Sequence, residues 1–154
     1  VDTVEHCTFM AESGRAEPDE VLLKAMAAAR IPVSATLGRL PDYELPPLFR
    51  DNLPIVRRAF GHFREAGGTI VVGTDAGING AKPHDVLPYA LEDLADIGMP
   101  RDEALRAITA DAARVIGLGD RKGRLAAGYD ADVLAFGGDD LTDVRGVWLR
   151  GRAV

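Results

Sequence analysis

His6 and Asp75 are the two side chains whose type and position most suggest chemistry. His6 lies near the end of Val1 to Cys7, a short stretch with strand character. Asp75 follows Thr69 to Thr74, in which Ile70, Val71 and Val72 form a β-branched run without polar alternation. Such a run suits a strand covered on both faces, as in parallel sheets. In parallel α/β architectures reactive groups gather at the carboxyl ends of strands, where the βα loops meet. An imidazole and a carboxylate brought to one rim could bind a divalent metal, and the carboxylate could also take a proton from an attacking water. Two ligands fall short of the three that a zinc centre ordinarily takes, so others must come from outside this pair. Each residue also has a structural reading: a histidine at a strand end can serve as a hydrogen-bonded anchor, and an aspartate after a buried strand can cap the next turn.

The remaining candidates are weaker. Cys7 adjoins His6, but neighbours in a strand point to opposite faces, so a Cys-His dyad is disfavoured and Cys7 reads as a small core residue. His84 follows Pro83 at an expected helix start near the Asp75 loop and could face the same rim; its alternative is an exposed helix end. His62, beside Phe63 in a helix, reads as a surface residue. Gly73, Gly77 and Gly80 do not fit a dinucleotide or phosphate-loop pattern. Glu92, Asp93 and Asp96 read as a solvated acidic face, and Arg121, Lys122 and Arg124 as water-facing side chains around a glycine turn.

These residues need a scaffold, and periodicity supplies one. Pro18, Asp19 and Glu20 open a helix with apolar positions Val21, Leu22, Ala25, Met26 and Ala29. Ile31 to Leu37 is a second strand, and Pro41, Pro46 and Pro47 mark a connector. Leu53 to Ala66 is helical through Val56, Ala59, Phe60 and Phe63, and Gly67-Gly68 stops it. Beyond the loop Asp75 to Lys82, Pro83 starts a helix carrying Val86, Leu87, Ala90, Leu91, Leu94 and Ala95. Pro100 begins another, with Leu105, Ile108, Ala112, Val115 and Ile116 inward. The order β-α-β-α-β-α-α predicts a parallel sheet or barrel sector with right-handed crossovers. From Gly117 glycines and charges surround two β-like stretches, Ala131 to Phe136 and Arg145 to Arg150.

The chain has 154 residues, 47% hydrophobic and 27% charged, with a formal net charge of −6. This balance suits a globular domain and disfavours nucleic acid and anionic membranes as partners. No apolar run approaches the roughly 20 residues of a membrane span. With Cys7 alone, an internal disulfide is impossible, and a reducing, cytoplasmic setting is expected. A closed (β/α)8 barrel takes about 250 residues, so a barrel could be only partly present. The start at Val1, without Met or leader, suggests that the natural start lies elsewhere.

Several motifs in order resemble the carboxyl-terminal half of a metal-dependent amidohydrolase of the imidazolonepropionase-like or prolidase-like branch. They are Val4-Glu5-His6, Gly73-Thr74-Asp75-Ala76-Gly77, His84 with the Leu87 to Leu94 helix, Ala104 to Ala107, Thr109 to Ala113, Ile116-Gly117-Leu118, Gly123-Arg124-Leu125, Gly128 to Val133 and Val147 to Val154. The resemblance implies an α/β fold: residues 1–116 as the last three strands and helices of the barrel, and 117–154 as a segment of an accessory β-sandwich. It implies His6 and Asp75 as metal ligands, with one or two divalent ions, zinc foremost. Asp75 would also be the catalytic acid and base in hydrolysis of a C–N bond in a small amide, cyclic amide or peptide-like substrate. His84 and the loop Ile78 to Lys82, with Asn79 and Lys82 as its polar members, would help select that substrate. The family's His-x-His pair on the first strand, bridging group on the fourth and His on the fifth have no counterpart here. None of Lys24, Lys82 and Lys122 sits at a strand end in the expected order. The chain therefore reads as part of such an enzyme, needing a missing amino-terminal half or another copy.

Two other readings remain. Open strand edges suit a catalytically silent structural fragment that pairs with a partner. A flavodoxin-like binding domain would need a phosphate or flavin loop after the first strand, which Thr8 to Ala16 does not offer.

Overall fold

A computed structural model describes all 154 residues. Three short strands, β1 (Val4–Glu5), β2 (Val33–Thr36) and β3 (Ile70–Gly73), form a parallel sheet in that order. Val4 lies opposite Val33 and Val33 opposite Ile70, so all three carboxyl ends emerge at one edge. The expected β1 was longer. Pairing stops at Glu5 because His6 and Cys7 adopt left-handed φ values of 61° and 52°. Ile70, Val71 and Val72 are all buried, as a strand covered on both faces requires.

Helix α1 (Glu20–Ala28) joins β1 to β2, and α2 (Pro47–Glu65) joins β2 to β3. The Asp19 carboxylate caps α1, accepting from the Val21 and Leu22 amides at 2.8 and 3.1 Å. Its buried face is Leu23, Met26 and Ala27, whereas Val21 and Leu22 are 78% and 54% exposed. The expected face through Val21, Leu22, Ala25 and Ala29 is thus corrected. Three successive apolar residues, Val21 to Leu23, fit two helical phases equally, and contact with the sheet selects Leu23. Arg30 closes α1 in a left-handed conformation, with the Ile31 amide donating to the Met26 carbonyl. Gly67 ends α2 by the same device.

Helix α2 starts at Pro47, earlier than the expected Leu53, because proline fits the first helical turn. It continues through Pro54, held to the core by Ala59, Phe60 and Phe63. After β3 the expected helix from Pro83 is instead a turn, a short 3₁₀ segment at Leu87–Tyr89 and α3 (Ala90–Asp96). His84 therefore sits in an exposed turn rather than at a helix start. The next expected helix divides into α4 (Arg101–Ala107) and α5 (Ala110–Val115), because Thr109 leaves helical geometry at φ −132°, ψ −92°. Ile116 is exposed rather than inward. One core joins these elements around Leu23, Val33, Ala35, Phe63 and Leu94, with Cys7 packed against its margin. No helix is long and apolar enough to cross a membrane.

The tail forms β4 (Val133–Phe136), β5 (Val144–Leu149) and β6 (Arg152–Ala153), one antiparallel sheet in sequence order. It is a single layer, and the parallel sheet is likewise open. Arg121, Lys122 and Arg124 are engaged rather than simply hydrated. Arg121 and Lys122 pair with Asp130, Lys122 also with Asp132, and Arg124 stacks over Tyr129.

The choice of helix face predicts a sharp contrast in chemical denaturation. Leu23→Ala should lose about 2–5 kcal/mol, and Leu22→Ala should change stability by no more than about 0.5 kcal/mol. Equal losses would contradict the observed packing.

Candidate functional site

The strand ends open onto a cavity of about 430 Å³. His6, from the end of β1, and Asp75, from the end of β3, both line it. Neighbouring strands lie about 4.8 Å apart, so the ends of β1 and β3 are separated by roughly two such steps, a gap that side chains can span. Asp75, like His6, is left-handed, with φ 55°. A non-glycine residue held this way costs on the order of 1–3 kcal/mol, and such conformations cluster at functional sites.

Thr36, the last residue of β2, stands between them. Its hydroxyl lies 3.1 Å from His6 Nδ1, which leaves Nε2 as the other ring nitrogen available to a ligand. The Asp75 carboxylate accepts no hydrogen bond from the protein and pairs with no cation. Lys82 reaches back from the loop, and its ammonium donates to the carbonyls of Thr36 and Thr74, each at 2.8 Å. Burial pushes that ammonium below its usual pKa, while the charges of Asp75 and Asp93 act in the opposite direction. No lysine backbone sits at a strand end, as expected, but the charged end of Lys82 reaches back from the loop to the ends of two strands.

The other expected substrate contacts divide. Asn79 lines the cavity, and its side-chain oxygen accepts from the Ala81 amide at 2.9 Å. The His84 ring lies beside Gly77, where an added Cβ would come within 3.1 Å of it, and is not part of the cavity lining. Cys7 packs on the core, and burial raises its thiol pKa, so it is not poised as a nucleophile. The separation of Cys7 from His6 arises from two left-handed residues rather than from strand alternation.

Two further groups shape the site. Asp93 lines the cavity, accepting from Arg57 at 2.8 Å and from the Gly38 amide at 3.1 Å, and Arg57 also pairs with Asp96 at 2.8 Å. The expected solvated acidic face is therefore corrected for Asp93, whose side chain is only 14% exposed. A period of three to four residues from Ala90 and Leu94 places Asp93 at the margin of the buried stripe, which is the signal for its position. Across the cavity, Tyr43, Leu45, Phe49, Leu53 and Val56 form an apolar wall supplied by the β2–α2 connector and α2.

Asn52 anchors this wall. It is the one buried polar residue, and its oxygen accepts from the Ala16 amide at 2.7 Å while its nitrogen donates to the Gly14 and Leu48 carbonyls at 3.0 and 2.7 Å. The Thr8 to Ala16 loop, which places Thr8 and Met10 on the cavity, is thereby fastened to α2.

His6 and Asp75 offer one nitrogen and one carboxylate, a suitable donor pair for a divalent ion. No group of three or more His, Cys, Asp or Glu side chains able to hold an ion occurs in the chain. The pair thus fits part of a metal centre and not a whole one.

Parallel strands whose ends present an imidazole, a carboxylate and a cavity define an α/β protein of the type that carries its chemistry at the strand ends. The chain belongs to the amidohydrolase family, whose model matches residues 1–154. An imidazolonepropionase from Rubrobacter xylanophilus is 37% identical over 117 residues, spanning 75% of this chain and 24% of that protein. Another from Kosmotoga olearia is 30% identical over 82 residues, spanning 52% of this chain and 20% of that protein. In fold, the chain is similar to an amidohydrolase from Thermotoga maritima, with a TM-score of 0.73, 22% identity and coverage of 99% of this chain and 36% of the other. It is also similar to a Xaa-Pro dipeptidase with methionine bound in its active site, with a TM-score of 0.73, 22% identity and coverage of 100% and 40%.

Asn52→Ala should leave the Ala16 amide without its partner and cost about 1–3 kcal/mol in denaturant unfolding. Faster hydrogen exchange at Ala16 should accompany the loss. Unchanged exchange there would show that Asn52 does not hold the loop.

Proposed function

We propose that residues 1–154 carry the His6 and Asp75 part of a divalent-metal centre in an enzyme that hydrolyses C–N bonds of amides or cyclic amides. The observation that supports this most strongly is the convergence of these sequence-distant side chains on one cavity. In this reading β1 to β3 are a sector of a (β/α)8 barrel, residues 1–116, and residues 117–154 belong to an accessory β-sandwich. The remaining ligands come from outside residues 1–154, in keeping with coverage of 20% and 24% of the imidazolonepropionases matched. A cytoplasmic setting fits the lone Cys7.

His6 would hold the ion through Nε2, with Thr36 steadying the ring through Nδ1, the kind of outer support that metal-binding imidazoles ordinarily have. Asp75 would be the second ligand. Zinc is one ion that this nitrogen and oxygen pair suits, and when bound it would supply Lewis-acid polarisation of the carbonyl and acidification of water. Asp75, free of protein hydrogen bonds, would accept the proton of the attacking water and return it to the leaving nitrogen as the C–N bond breaks. Such acid–base transfer is typically worth about 10²- to 10⁴-fold in rate. Asn79 would meet the substrate's polar end and the Tyr43 to Val56 wall its apolar part, whereas Lys82, expected as a second polar contact, has two of its three donors on backbone carbonyls. His84 would act from outside the lining, through Gly77.

A second reading has specific support in the absence of a three-ligand group: residues 1–154 alone are catalytically silent and require a partner segment or another copy. Exposed Leu125, Leu134 and Leu149 are consistent with such pairing. In sedimentation, residues 1–154 alone should then self-associate or bind the remainder of the protein, and a stable monomer that does neither would oppose this reading.

The full-length protein, purified with zinc, should hydrolyse members of a panel of amides and cyclic amides. Asp75→Asn should lower kcat by about 10²- to 10⁴-fold without loss of fold, and His6→Ala should lower metal content by elemental analysis. A folded full-length protein that neither bound metal nor cleaved any amide would overturn the proposal.

A further inference from the structure

We infer that Lys82 is a positioning residue that fixes the backbone leading into Asp75 and the backbone of Thr36, whose hydroxyl meets His6, an inference that rests on the hydrolase reading for its catalytic consequence. Two of the three ammonium donors are spent on the Thr36 and Thr74 carbonyls, each at 2.8 Å. The Thr74 carbonyl belongs to the peptide unit leading into Asp75. Because Asp75 is left-handed and its carboxylate has no protein partner, the backbone contacts around it must maintain that conformation. On the other side, Thr36 is the residue whose hydroxyl meets His6 Nδ1. One side chain therefore holds the peptide that leads into Asp75 and, through Thr36, the residue that contacts the His6 ring.

The loop is built to deliver this ammonium. The Gly77 amide donates to the Lys82 carbonyl at 2.6 Å, and the Lys82 amide to the Asn79 carbonyl at 3.1 Å, closing the loop at its base. The Leu40 amide donates to the Ala81 carbonyl at 2.9 Å, tying it to the segment after β2. With its base fixed, the Lys82 stem turns back across the ends of β2 and β3. A substrate-binding lysine would be expected to keep its donors for the ligand, whereas this one has committed most of them to the backbone.

The test is Lys82→Met in the full-length protein, with Lys82→Arg as the variant that keeps charge and donors. Lys82→Met should lower kcat by about 10²-fold, the scale of effect that a misplacement near 1 Å produces, with little change in KM. Amide hydrogen exchange should rise at residues 75–82 and remain unchanged in α1. Lys82→Arg should recover much of the turnover and protection. A raised KM with unchanged kcat would instead identify a substrate contact and overturn the inference, as would unchanged exchange at residues 75–82. If Lys82→Met does not fold, nitrogen NMR of the wild-type Lys82 ammonium decides: slow proton exchange supports the clamp, and rapid exchange with water rejects it. An inactive wild type would count against hydrolysis alone, since the exchange and NMR measurements test the clamp without turnover.

Discussion

The parallel register of β1, β2 and β3 is the constraint on which the site depends. With Val4, Val33 and Ile70 aligned, the strand ends reach one edge together, and His6, Thr36 and Asp75 emerge beside one another. Side chains alternate along a strand, so a slip of one residue would turn the Thr36 hydroxyl away from His6 and send Val33 and Ala35 out of the core. The fully buried Val33 and Ala35 therefore protect the polar edge as well as the fold. Site geometry and core packing are consequences of the same pairing.

The cavity is divided by polarity. Backbone carbonyls, Lys82, Asp75 and Asp93 occupy the strand-end side, while the connector and α2 supply aromatic and aliphatic surface. Arg57 compensates Asp93, and Lys82 is held by carbonyl dipoles, leaving the Asp75 carboxylate without a protein partner. Asp75 thus presents its carboxylate to the mouth of the cavity without a protein donor or cation against it. Left-handed backbone at His6 and Asp75 turns each chain sharply away from its strand, so the strain lies where the side chains must be presented.

Much of this arrangement could be read from residue patterns. The uninterrupted Ile70-Val71-Val72 run identified a strand covered on both sides, and the strand-end rule selected His6 and Asp75. Less was legible where several apolar residues were adjacent: Val21, Leu22 and Leu23 permit more than one helical face. Pro47 and Pro83 show a similar ambiguity, since proline fits either a connector or a helix start and neighbouring contacts decide between them. Asp93 could not be separated from Glu92 and Asp96 by charge, because its partner Arg57 belongs to another helix.

By itself, the sequence determined the alternation of strands and helices, the placement of His6 and Asp75 at strand ends and the change of texture at Gly117, all of which follow from local composition and spacing. Tertiary structure decided that Lys82 caps two strand ends, that Thr36 meets His6, that Asn52 fastens a loop to α2 and that His84 stays outside the cavity lining. These relations join residues far apart in the chain through particular side-chain directions. No local periodicity encodes such directions; they are set only when the sheet, its crossover helices and the loops settle against one another.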